Sequence, residues 1–120
     1  MFKTTSQYRT ESTEGRYGGK GVAVVSHVME KTELLANCRL FARIRLDPGC
    51  SIGWHTHDQE EEVYYILSGE AVVNDDGVIR TVYPGDSVYT GNGGSHSIEN
   101  QGSEPMEFLG VILTYQPPER

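Results

Sequence analysis

From residue 21 to residue 115 the chain is a succession of short β-rich runs parted by clusters of Gly, Pro, Asn and Asp. No other feature limits the fold as much. Val, Ile, Tyr, Phe and Thr fit a pleated, half-buried surface, whereas Gly, Pro, Asn and Asp supply the turn conformations between such runs. GVAVVSHVM (21–29) is the first run. RLFARIRL (39–46) alternates most cleanly, with Leu40, Ala42, Ile44 and Leu46 on one face and Arg39, Phe41, Arg43 and Arg45 on the other. CSIGWHTH (50–57), EVYYILSG (62–69), EAVVN (70–74), DGVIRTVY (76–83), SVYTG (87–91), HSIEN (96–100) and MEFLGVILTY (106–115) follow. Turn signals separate them: Asp47-Pro48-Gly49, Asn74-Asp75-Asp76-Gly77 and Pro84-Gly85-Asp86, with DQEE (58–61) read as a connection. EKTELLANC (30–38) is too short to separate a helical turn from a loop. Eight or nine short strands at regular spacing, with almost no helical period, predict an all-β antiparallel sandwich or barrel.

The 120 residues are the length of one ordinary domain, and no composition shift marks a second. The first twenty residues are polar and glycine-punctuated and read as an arm or irregular lead-in with room for a short strand. Ten basic against seventeen acidic side chains leave a net charge of −7, which argues against nucleic acid or an anionic membrane as partner. A small anion is still allowed, because a metal or one placed arginine overrides the global field inside a pocket. No stretch approaches the ~18 apolar residues of a membrane span, and MFKTTSQYRT lacks the apolar core of a signal peptide. Cys38 and Cys50 are too few for a disulfide scaffold, so a cytoplasmic protein with reduced thiols is expected.

Within GWHTHDQEEEVYYILSGE (53–70), two histidines stand two residues apart and therefore share a strand face, followed by Glu60, Glu61 and Glu62. Neutral imidazole is the commonest metal ligand, and carboxylate often completes such a site. Face parity does not carry across DQEE, so these residues alone leave the glutamate open.

Two spacings then resemble the cupin superfamily over residues 38–115. Gly49, His55, His57, Glu62 and Gly69 match its first motif, and Gly85, Gly93, His96 and Asn100 match its second. Gly91 stands in the second motif's proline slot, a change that frees the loop where proline would fix φ and that touches no ligand. The resemblance implies a double-stranded β-helix, the cupin jelly-roll barrel, holding one divalent transition metal (Fe, Mn, Co, Ni or Zn) on His55, His57, Glu62 and His96. The six-residue spacing to Gly69 favours Glu62, as the first residue of its strand, with Glu61 as the fallback and Glu60 as a solvated loop carboxylate.

With Glu62 pointing inward, alternation puts Tyr64 and Ile66 on the same face, Ile98 beside His96, and Ser51 and Gly53 beside the paired histidines. Tyr64 and Glu61 are the only candidates for a proton-transfer role. Arg43 and Arg45 either reach a substrate carboxylate or phosphate, or coat an exposed sheet face. Val63, Tyr65 and Leu67 make the opposite face of their strand apolar as well, so a cover is expected: a second copy in a homodimer, with the arm reaching across, or the arm on its own barrel. Trp54 reads as packing, the cysteines as small buried hydrophobes and His27 as a surface or hairpin histidine. The function expected is a metalloenzyme of isomerase, decarboxylase or dioxygenase type acting on a small oxygenated molecule such as a carboxylate or sugar. The alternatives are a non-catalytic module that captures or senses a small ligand on the same metal, and a metal that only stabilises the barrel.

Overall fold

The computed structural model describes residues 1–119. Among them are ten strands: β1 (Arg9–Glu14), β2 (Val22–Met29), β3 (Cys38–Leu46), β4 (Ser51–Thr56), β5 (Glu60–Ser68), β6 (Ala71–Asp75), β7 (Val78–Val82), β8 (Ser87–Gly91), β9 (Ser95–Glu99) and β10 (Met106–Thr114). They form two antiparallel sheets, ordered β1-β2-β3-β10-β5-β8 and β4-β9-β6-β7, which face each other as a double-stranded β-helix. No helix among the described residues is long and apolar enough to cross a membrane.

The alternation of β3 works as its pattern requires. Leu40, Ala42, Ile44 and Leu46 are buried, joined from the same sheet by Tyr64, Ile66, Phe108 and Ile112 and from the other by Ile52, Val73 and Ile98. Phe108 is fully buried and meets Tyr64 edge-on, with ring centroids 4.7 Å apart. Phe108 thus wedges the floor against which the polar end of the barrel is built. Gly110, in the middle of β10, keeps that end open, since a Cβ there would lie 3.1 Å from Glu62 Oε2 and 3.3 Å from Ile44. Asp76 and Gly77 both adopt positive φ in the two-residue β6–β7 turn, as the Asn-Asp-Asp-Gly signal demands.

Three features bear on the expectations. First, the short strand for which the arm had room is β1, which pairs with β2 of its own chain, from Arg9 opposite His27 to Glu14 opposite Val22. Second, β5 begins at Glu60 rather than Glu62, because Glu60 and Glu61 stay in the ladder opposite Thr114 and Leu113. The connection becomes His57-Asp58-Gln59, with Gln59 in the left-handed region at φ 59°.

Third, β4 carries a bulge. Ile52 pairs with Ile98 and His55 with His96, so three steps on β4 match two on β9. The extra residue falls at Gly53-Trp54 and shifts the parity by one. Ile52, not Ser51 or Gly53, therefore points inward with the histidines, and it is 3 % exposed. Ser51 turns outward, where its Oγ accepts the Lys20 N–H at 2.8 Å. Outside β4, residues 16–19 press so close that a Cβ on Gly53 would sit 2.0 Å from the Tyr17 carbonyl oxygen, and one on Gly19 2.3 Å from that of Ser51. Two glycines face each other there because only bare backbone fits. That contact holds the turn Arg16–Gly18 over one mouth of the barrel.

Candidate metal centre

His55 on β4, His57 just after it, Glu62 on β5 and His96 on β9 converge inside the barrel, their donor atoms all within 4.8 Å of one another. His57 Nε2 lies 2.9 Å from His96 Nε2, which lies 3.0 Å from His55 Nε2. Glu62 Oε1 is 2.9 Å from His57 Nε2 and 3.1 Å from His96 Nε2. His57, Glu62 and His96 are at most 3 % exposed.

The other ring nitrogens explain why these four meet. His55 Nδ1–H donates to the Gly53 carbonyl at 2.7 Å, and His57 Nδ1–H donates to Glu60 Oε2 at 2.6 Å. His96 Nδ1 lies 2.9 Å from Thr90 Oγ1, whose own proton goes to Asp75 Oδ1 at 2.6 Å, so the hydroxyl must accept from the imidazole. The partners thus assign all three tautomers: each Nδ1 carries the proton and each Nε2 presents a lone pair. Three lone pairs and a carboxylate oxygen packed within hydrogen-bond reach repel one another unless a cation sits among them. The donor set, three imidazole nitrogens and one oxygen, fits a borderline divalent transition ion.

The electrostatics agree. Burial pushes His55 down to about 4, so it stays neutral with its lone pair free. Burial also opposes charge on His57, but its hydrogen bonds to the Glu62 and Glu60 carboxylates outweigh that and raise it. Glu62 and Glu60 are both held below the usual carboxylate range: burial works upward, and the imidazole contacts, with Arg39 for Glu60, work downward more strongly.

Glu60 is not a solvated loop carboxylate. Its two oxygens take Arg39 Nε and Nη2, each at 2.8 Å, while Oε2 also receives His57, so it anchors a ligand ring from behind. Glu61 is not brought to the cluster. It accepts the Tyr89 hydroxyl at 2.7 Å on the outer side, and that bond pushes Tyr89 up to about 12. Tyr64 does reach the site, its hydroxyl 3.1 Å from His96 Nε2, and burial raises its phenol well above the ordinary value. Arg43 and Arg45 lie on the face of β3 opposite buried Ala42 and Ile44, with Arg45 paired to Asp47 at 2.9 Å, so neither reaches the cavity. His27 is 8 % exposed rather than superficial and sits 3.3 Å from a Glu11 oxygen.

The cavity at the cluster is small, about 20 Å³, and Arg16 and Tyr17 line it together with His55, His57, Glu62, Ile52 and Tyr64. Tyr17 stacks on His55 with centroids 4.1 Å apart and planes 14° from parallel. A groove of about 460 Å³ beside β7 and β8 is far larger but contains no imidazole, so size does not locate the chemistry here. Arg16, Tyr17, Arg39 and Thr90 all escaped the sequence reading. A signal for the first two was present, since Gly15, Gly18, Gly19 and Gly21 crowd one short stretch and mark a backbone held close to something.

The family model of the cupin domain matches residues 42–112, which contain all four converging side chains. The chain belongs to the cupin family. Among curated proteins, this cupin is 42% identical to an oxalate-binding protein of Thermotoga maritima over 113 residues, 94% of this chain and 93% of that one. Among solved structures, it superposes at a TM-score of 0.91 on a predicted oxalate decarboxylase from Thermotoga maritima, with 42% identity, covering 95% of this chain and 99% of the other. A putative sugar phosphate isomerase from Acidithiobacillus ferrooxidans shares the fold at a TM-score of 0.76 and 24% identity, covering 94% of this chain and 74% of the other.

Proposed function

We propose that this cupin binds one divalent transition metal through His55, His57, Glu62 and His96 and uses it to capture a small carboxylate anion, with oxalate the first candidate. The observation that carries the reading is the commitment of all three Nδ1–H groups to outer partners, which leaves three Nε2 lone pairs and a carboxylate facing one another. When bound, the ion supplies Lewis acidity at open coordination positions. The chain's own residues orient the donors through Glu60, Arg39 and Thr90 and keep water out with Ile52, Tyr64 and Tyr17. The similarity to an oxalate-binding protein over nearly both full lengths supports the choice of anion.

Capture is favoured over turnover by the cavity lining. Tyr64 is the single buried hydroxyl at the cluster other than Thr90, and burial keeps its phenol protonated, so it donates a hydrogen bond rather than serving as a base. The test is calorimetric titration of Mn(II)- or Co(II)-loaded protein with oxalate, alongside an assay for released carbon dioxide. Saturable binding without carbon dioxide supports capture; steady carbon dioxide release makes the protein a decarboxylase instead; no binding refutes the reading.

A second copy of the chain is proposed to cover the outer face of the six-stranded sheet, giving a homodimer. Strand register aligns Phe41, Val111, Val63 and Tyr89 in one row across four strands, with Leu109 and Tyr65 beside it. Tyr65 and Tyr89 stand 46 % and 55 % exposed, which leaves an apolar band on the single chain. The two unpaired cysteines suit a reducing compartment, and the cytoplasm is the proposed location. Sedimentation equilibrium at twice the chain mass supports the dimer, and a monomer at micromolar concentration refutes it.

A further inference from the structure

We infer that Arg16, on the turn over the cavity mouth, selects the charge of the bound anion and makes the site prefer a compact dianion such as a two-carbon dicarboxylate over a monocarboxylate. The inference rests on the capture reading above and adds to it the residue and the ligand charge.

Among the described residues, Arg16 is the one Lys or Arg whose side chain lines the cavity. Its placement is fixed rather than incidental. Gly15 and Gly18 adopt φ of +65° and +75°, and Tyr17 between them sits at +51°, a conformation that residues with a Cβ seldom hold. Gly53 and Gly19 let the turn seat on β4, and the Tyr17 ring lies flat on His55. The guanidinium lies 5.7 Å from the Tyr17 ring centroid and touches Thr13 Oγ1 only at 3.5 Å. Among the described residues it has no carboxylate partner, whereas Arg9, Arg39 and Arg45 each hold one.

Charge then sets the ligand. Arg39 neutralises Glu60, and a divalent ion facing Glu62 retains one positive charge. Arg16 adds a second, inside a chain whose net charge is −7. A dianion cancels both, and a monoanion leaves one unmatched. A planar guanidinium also matches a carboxylate with two parallel hydrogen bonds, which a point charge does not.

The test compares metal-loaded parent and Arg16→Gln by calorimetry, with oxalate and acetate as probes and metal content measured on both. We expect the variant to keep its metal, to lose about tenfold or more in oxalate affinity, and to change about threefold or less for acetate. Oxalate affinity within about threefold of the parent overturns the inference, as does an equal loss for both anions, which marks a purely structural role. If the parent binds neither anion, the capture reading itself fails and takes this inference with it. Should the variant not fold, phenylglyoxal modification of the metal-loaded parent decides. Protection of Arg16 by oxalate but not acetate, mapped by mass spectrometry, upholds the inference, and equal labelling with either anion overturns it.

Discussion

Replacing Glu60 by Gln isolates what the carboxylate behind His57 does for the site. The side chain keeps its shape and loses its charge. In the native site Glu60 Oε2 takes the His57 Nδ1–H at 2.6 Å and Arg39 Nη2 at 2.8 Å, while Oε1 takes Arg39 Nε at 2.8 Å. Its side chain is 13 % exposed and that of His57 2 %, so water does not fill in for a lost partner. A glutamine amide offers one acceptor oxygen and one NH₂, so either the imidazole or part of the guanidinium must face a donor. Charge-assisted hydrogen bonds contribute about 1.5–3 kcal/mol against about 1 kcal/mol for neutral ones. Losing one therefore costs the metal-binding geometry about 1.5–3 kcal/mol, or about 10–150-fold in metal affinity, close to the range usual for partners that orient metal-bound histidines. Competition against a chromophoric chelator with Co(II) or Mn(II) measures it directly. Glu61→Gln, which removes a charge bonded to Tyr89 on the outside, is the control and should leave affinity unchanged. Glu60→Gln within about twofold of the parent would refute the orienting role.

Other outcomes follow from burial and ionisation. Phe108→Ala removes a fully buried ring that abuts Tyr64 and should cost about 3–5 kcal/mol, seen as a lower urea midpoint at unchanged slope. A loss under about 1 kcal/mol would contradict the packing described. Protonation makes the metal-free protein most stable near pH 6.5. His55 titrates at about 4 in the fold against 6.5 unfolded, so its contribution is present above 6.5 and falls away as the pH drops towards 4. The lowered Glu60 and Glu62 add to that acid loss below about 4.5. His57 is raised, so its contribution is full below 6.5 and is lost as the pH climbs through its folded value. Thermal melts in chelator at pH 5, 6.5 and 8 should show the maximum in the middle, and a Tm that climbs steadily to pH 8 would contradict the assignment.

Alternation carried much of the fold in plain view. On β3 every second residue is apolar and buried, and on β5 the buried set is Glu62, Tyr64 and Ile66, so the pleat alone sorts Leu40, Ala42, Ile44 and Leu46 from their neighbours and sets Tyr64 and Ile66 beside Glu62. The same logic failed on β4, because it assumes an unbroken pleat and the bulge at Gly53-Trp54 moves Ile52 into the cavity. The four converging donors were legible through the resemblance to the cupin motifs, since the residues' own pattern paired His55 with His57 but left the glutamate open. Their supports were not. Arg39 reaches Glu60 from a strand 21 residues away and Thr90 reaches His96 from the strand just before it, and nothing local distinguishes either from an ordinary sheet residue. Glu60 was misplaced because β5 begins two residues earlier than the polar composition of that stretch implied. Arg16 belongs to an irregular segment without a period, where only close backbone packing on β4 fixes the side chain.

The central claim is that His55, His57, Glu62 and His96 form a cage for a cation. Elemental analysis of the purified protein beside a His55→Ala, His96→Ala double variant tests it most directly, with both shown to be folded by circular dichroism. The account predicts about one transition metal per chain in the parent and about a tenth of that or less in the variant, since two of four donors are gone. Equal metal in both proteins, or none in the parent after incubation with Mn(II), Co(II) and Zn(II), would contradict it.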